Sequence, residues 1–122
     1  MERPFRHITV TRQGEVFCVG LTQRKLSETQ VIEMADEVVS LIIDQGCRRL
    51  ACRLGPDPLD CLYSIFMAKL VMIRRRLREC NGQMRLCEVP EPVMGIFEAC
   101  RLNTYFEFEP TQEAAVQVLS AT

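Results

Sequence analysis

The sequence predicts an α/β fold: an opening hairpin joined to a mixed, mostly parallel sheet of four to five strands, covered by about four helices. Three observations carry this. Short apolar runs alternate with longer segments of helical period along most of the 122 residues. The run Arg48-Arg49-Leu50-Ala51-Cys52-Arg53-Leu54 reads as a buried strand and stops at Gly55-Pro56-Asp57-Pro58, where two prolines and a glycine bar its continuation. From 65 to 80 nothing breaks a helix until Asn81-Gly82 supplies a stop signal.

In chain order, residues 5–11 alternate apolar and polar through Ile8 and Val10. Gln13-Gly14 then turns the chain into Val16-Phe17-Cys18-Val19, which predicts an antiparallel hairpin with its first strand at the sheet edge. Residues 22–26 read as polar linker. Ser27-x-x-Gln30 is a capping box, and it introduces a helix with Val31, Met34, Ala35, Val38, Leu41 and Ile42 on its core side, closed by Gly46. Glu28, Glu33, Asp36, Glu37 and Asp44 fall on the outer side, where solubility is their default role.

After the central strand and its loop, Ser64 stands where an N-cap is expected. The helix behind it directs Phe66, Leu70, Ile73, Leu77 and Cys80 to the core. Its opposite side begins with Ile65, Ala68 and Met72 and ends with Arg75, Arg76 and Glu79. An apolar half on a solvent side is either a docking patch or a scatter of ordinary surface residues under a loop. Residues 83–87 form a further strand, and Pro90-Glu91-Pro92 opens a short helix with Val93, Ile96, Phe97 and Cys100 inward. A last small strand at 105–108 and a terminal helix at 111–119, packing Ala115, Val118 and Leu119, complete a single domain over residues 1–122.

A chain of this length buries a proper core without staples. Hydrophobic residues make up 48%, charged residues 25%, and the net charge is −1, which excludes a disordered chain and a general polyanion binder. Arg74-Arg75-Arg76 with Arg78 is a local basic run that reads as a solvated helix side rather than a nucleic-acid patch. The seven cysteines are odd in number, dispersed and never spaced Cys-x-x-Cys. That pattern argues against a disulfide framework, a zinc site and a redox pair, and makes Cys18, Cys52, Cys80 and Cys100 small core hydrophobes of a reducing, cytoplasmic protein. Met1-Glu2-Arg3-Pro4 leads into no apolar signal core, and no apolar run is long enough to span a bilayer.

No catalytic constellation is present. His7 is the single histidine, on the first strand, and no triad assembles around it. Neither G-x-G-x-x-G nor G-x-x-x-x-G-K-[ST] occurs, which disfavours a nucleotide enzyme, and no cofactor is expected. Asp57 and Asp60 share a loop but are too few to specify a metal site.

The chain resembles the STAS domain family, found in bacterial anti-sigma-factor antagonists. The resemblance runs from the opening hairpin to the last helix. Its most specific stretches are Leu62-Tyr63-Ser64-Ile65-Phe66-Met67-Ala68-Lys69-Leu70, Arg74-Arg75-Arg76-Leu77-Arg78-Glu79-Cys80-Asn81-Gly82 and Met84-Arg85-Leu86-Cys87. In that family a serine at the head of the helix after the third strand is a regulatory phosphoacceptor, often within Asp-Ser-Ser-Gly, and Ser64 matches its place. Tyr63 stands where the aspartate would be, Ile65 and Phe66 replace the serine and glycine, and Arg53 occupies a strand end that is often aspartate.

The resemblance implies a non-enzymatic interaction module, an anti-sigma-factor antagonist binding a cytoplasmic anti-sigma factor of the histidine-kinase-like ATPase type, with Ser64 as candidate phosphoacceptor. The expected contact residues are Leu59, Asp60, Leu62, Tyr63, Ser64, Ile65, Ala68 and Met72. A phosphate on Ser64 would meet free N–H groups and the positive end of the helix dipole; as an N-cap, Ser64 needs no such role. Two other readings stand beside it: a subunit of another assembly, such as a lipid-transport ATPase complex or signalling scaffold, and a small thiol-dependent enzyme, which lacks a base.

Overall fold

The computed structural model describes residues 5–121, so the Met1–Pro4 segment weighed above as a possible leader lies outside the described residues. Five strands form one sheet in the order β1 (Ile8–Gln13), β2 (Val16–Leu21), β3 (Arg49–Arg53), β4 (Gln83–Cys87), β5 (Phe108–Glu109). β1 pairs antiparallel with β2, and every later pairing is parallel. The four helices are α1 (Glu28–Asp44), α2 (Tyr63–Glu79), α3 (Glu91–Ala99) and α4 (Gln112–Ser120).

Strand period 2 divides the core into two layers. On one face Phe17, Val19, Leu50, Cys52, Met84 and Leu86 join the buried stripes of α1 and α2. On the other, Val16, Cys18, Ala51 and Cys87 meet Ala115 and Leu119 of α4. Shifting any of these strands by one residue would exchange the two sets, so the register of 49↔83 and its neighbours is held by both layers at once. Each fully buried Val, Leu or Phe among them is worth about 1.5–3 kcal/mol relative to exposure.

The hairpin turns at Gly14-Glu15, one residue later than the sequence suggests, with Gly14 at φ +63 supplying the left-handed conformation of a two-residue loop. α1 carries the full capping box between Ser27 and Gln30 and buries the six predicted residues. Gly46 at φ +68 then lets Cys47 N–H reach back to the Leu41 carbonyl at 2.9 Å. Past the end of α2 the predicted stop at Asn81-Gly82 takes effect: Asn81 is in the left-handed region (φ +61), and Gly82 N–H returns to the Leu77 carbonyl.

Several expectations need correction. Glu33 and Glu37 are more than solubilising: Glu33 Oε1 lies 2.9 Å from Nε2 of the buried His7, and Glu37 accepts the backbone N–H groups of Arg6 and His7. They fasten the chain ahead of β1 to α1. Leu26, inside the predicted polar linker, is buried. Met67 joins the α2 core stripe while Cys80 is only half-buried, and Cys100, expected inside, is exposed because α3 ends at Ala99 and turns it outward. Ile96 and Val118 are half-buried. The last strand is Phe108–Glu109 and not 105–108, since Tyr105 and Phe106 N–H groups close a turn on the Leu102 carbonyl. In the basic run, Arg74 lies on the Tyr105 ring at 4.3 Å and Arg78 is 3.6 Å from Glu107, leaving Arg75 and Arg76 to solvent.

All seven cysteines are free. Burial pushes the thiols of Cys47, Cys52 and Cys87 up to about 12, so they stay protonated at neutral pH. Titration of the native protein with an aromatic disulfide reagent at pH 8 should therefore find Cys100 first, and Cys100→Ser should remove that phase. Cys18, Cys47, Cys52 and Cys87 should react only as fast as the protein unfolds. Fast labelling of Cys52 or Cys87 would contradict the two-layer packing.

Candidate functional site

The loop between β3 and α2 positions the head of α2. Leu54 N–H donates to the Cys87 carbonyl at 3.1 Å, carrying the β3–β4 pairing one residue past the strand. Gly55 then passes so close to the next segment that a Cβ there would collide with the Glu88 carbonyl oxygen. The Gly55–Pro56 peptide is cis. The rest of the loop is held by Arg24, whose Nη1 donates to the carbonyls of Leu54 and Asp57, each at 2.8 Å. Backbone bonds from Asp60 to the Arg24 carbonyl (2.7 Å) and from Leu26 to the Asp60 carbonyl (2.9 Å) add a short parallel bridge between the two loops.

Sequence reasoning missed Arg24 and Leu26. A guanidinium that binds carbonyls rather than a carboxylate leaves no charge pattern to find, and one apolar residue among polar ones carries no period.

α2 starts two residues earlier than expected, at Tyr63 and not at 65. Leu62 is the N-cap, in extended conformation, and its carbonyl accepts from Ile65 and Phe66; Ser64 is the second helical residue. The expectation that Ser64 caps the helix is overturned, because the Tyr63 hydroxyl donates to the Leu59 carbonyl and draws residue 63 into the first turn. Leu62 has no side-chain acceptor to offer, and the first turn of α2 contains no acidic residue. α1 and α4, by contrast, are capped by the side chains of Ser27 and Thr111. The positive end of the α2 dipole is thus left uncompensated by its own residues, with Ser64 exposed in it.

The other predicted contact residues separate. Leu62 is 54% exposed, and Asp60, Ser64 and Ala68 are exposed with it. Leu59 is 5% exposed and lies in the core, so its side chain supports this surface from beneath and is not part of it. Tyr63 is half-buried with its ring edge-on to Phe66. Burial raises its phenol above the ordinary value, and Cys61 and Asp60 add to the shift. Ile65 and Met72, expected outside, are half-buried against the main core. The expected apolar patch accordingly narrows to Leu62 and Ala68 around Ser64. Beside it lies a cleft of about 580 Å³, lined by Lys25, Glu28, Gln30, Asp60, Cys61 and Leu62. Burial, with Asp60 adding to it, pushes the Cys61 thiol up to about 11.

No family model matches the chain. Over 83 residues it is 28% identical to BtrV of Bordetella bronchiseptica, a candidate anti-sigma factor antagonist, covering 68% of this chain and 70% of that protein. It superposes on an anti-sigma-factor antagonist (STAS) domain protein from Planctomyces limnophilus with a TM-score of 0.78 at 21% identity, over 93% of this chain and 97% of the other. Against the Bacillus cell fate determinant SpoIIAA in its phosphorylated form, the TM-score is 0.65 at 16% identity, over 91% and 98%. The fold is that of the STAS domain.

Two substitutions probe this loop. Gly55→Ala should destabilise by about 3 kcal/mol, because backbone must move to admit a methyl group. Tyr63→Phe should lose one hydrogen bond, about 1 kcal/mol, and fray the start of α2. Denaturant midpoints and amide exchange at residues 65 and 66 would show both; a neutral Gly55→Ala would refute the close passage at Glu88.

Proposed function

We propose that this STAS-fold chain is a non-enzymatic regulatory module, an anti-sigma-factor antagonist that docks a cytoplasmic anti-sigma factor of the kinase-like ATPase type through the head of α2. The supporting observation is the exposed Ser64 in the uncapped, acid-free first turn of α2, flanked by exposed Leu62 and, one turn on, Ala68. Leu62 and Ala68 provide the small apolar contact that docking buries, and Ser64 sits at its centre.

Phosphorylation of Ser64 is the proposed switch. A phosphate adds about −1.5 to −2 charge at neutral pH, and here the free N–H groups of the first turn and the helix dipole would hold it. The same charge placed between Leu62 and Ala68 would oppose burial against an apolar or acidic partner surface. SpoIIAA, similar to this chain in fold, has a phosphorylated form. The loop that leads into α2 and Ser64 is tied down through Arg24 and Asp60, so the module offers a preformed surface.

Binding to a purified kinase-like anti-sigma factor from the same genome tests this. Ala68→Glu should leave stability within about 0.5 kcal/mol, because the residue is exposed, yet weaken the complex at least about tenfold. Ser64→Asp should weaken it in the same direction. Incubation with the partner and ATP should add one phosphate by mass, and Ser64→Ala should abolish that gain. Unchanged affinity in both Ala68→Glu and Ser64→Asp would remove this surface from the interface, and phosphate uptake by Ser64→Ala would remove Ser64 as the acceptor.

A further inference from the structure

The opposite end of the sheet carries a second cavity, of about 350 Å³, at the amino-terminal ends of β2, β3 and β4. Arg12 reaches it from the end of β1, Arg48 from the α1–β3 connection, Arg49 from the first position of β3, Asn81 from the α2–β4 connection and Gln83 from the first position of β4. We propose that this cavity binds a small oxyanion, a molecule carrying phosphate or clustered carboxylates.

Neutral groups hold two of the guanidinium groups. Arg12 lies over the ring of Phe17, 4.3 Å from its centroid. Arg48 Nη1 donates to the carbonyls of Ile42 (3.2 Å) and Cys47 (2.9 Å). Both cations are positioned by neutral groups, and among the described residues neither has a carboxylate within ion-pair distance. Their charge therefore remains available to a ligand. Arg49 is different, since its Nη1 lies 3.7 Å from Glu15 at the mouth of the cavity.

The floor is preorganised and roomy. The two connections are pinned together by the Gln83 N–H to Arg48 carbonyl bond (2.8 Å), and each turns at a left-handed residue, Gly46 and Asn81. A Cβ on Gly46 would meet nothing within 4 Å. Planar guanidinium forks match the paired oxygens of phosphate and carboxylate, and two of them at one small cavity favour a ligand with two or more negative charges. The volume suits a small molecule and not a protein segment. Glu15 is the opposing term: its carboxylate repels an anion at the mouth, which gives the proposal a signed prediction.

The test is titration of isotope-labelled full-length protein, at low salt, with pyrophosphate and separately with citrate, followed by amide shifts. Saturable shifts at 12, 46–49 and 81–83 are expected, with the two probes competing; the tighter one identifies the ligand's oxyanion type. Arg12→Gln and Arg48→Gln should each weaken binding at least tenfold, and Glu15→Gln should strengthen it severalfold. Arg75→Gln, on the solvent side of α2, should change nothing. The proposal fails if neither probe saturates at millimolar concentration, if Glu15→Gln weakens binding, or if Arg75→Gln costs as much as Arg12→Gln. Melting temperatures identify any variant that has lost its fold, and the Glu15→Gln result then decides alone.

Discussion

The two hydrogen bonds from Arg24 to the carbonyls of Leu54 and Asp57 are the contact on which the candidate site depends. β3 leaves the sheet at Arg53, and the segment that follows has no regular structure of its own to dictate where α2 begins. Arg24 supplies that order from a loop thirty residues earlier, and the Lys25–Asp60 bridge carries it to the doorstep of Leu62. Backbone carbonyls that no strand or helix would satisfy are thereby paired, and the loop is held in one arrangement. The same arrangement tucks Leu59 inward and leaves Leu62 and Ser64 facing out.

Beneath that loop, the sheet serves as a partition between two cores of unequal size. The larger holds α1, α2 and the aromatic cluster in which Phe97 packs edge-on against Phe106 and Phe108. The smaller is the strip under α4, where Ala51, Cys18 and Cys87 are compact enough to let the last helix lie close. Here the cysteines have a physical role: a thiol is a small, apolar filler that need not find a hydrogen-bond partner. Raised thiol pKa values are the electrostatic face of the same burial.

Charge is distributed to opposite ends of the molecule. At the head of α2 the positive potential comes from the backbone, through N–H groups that no side chain caps. At the far end it comes from Arg12 and Arg48, each oriented by neutral groups. Along the β4–β5 side the cations are answered: Arg85 is flanked by Glu107 and Glu109 at 3.1 and 3.3 Å, and Arg78 by Glu107. A net charge of −1 conceals both positive ends.

The sequence by itself determined the elements whose signals are local. The capping box at Ser27, the six-residue stripe of α1, the break at Gly55-Pro56 and the strand at Gln83–Cys87 all rest on periodicity or turn chemistry within a few residues, and such signals survive folding unchanged. The tertiary structure decided everything that depends on which distant group arrives. Ser64 looked like a cap because the Tyr63–Leu59 bond that starts α2 earlier is not written in residue type. Glu33 and Glu37 looked like solvated acids until His7 and the backbone before β1 came against them. Ile65 and Met72 looked external on a helical wheel, which assumes one buried side, whereas α2 is also covered along its flanks. A side chain's period places it on a face; only the assembled neighbours determine whether that face meets water.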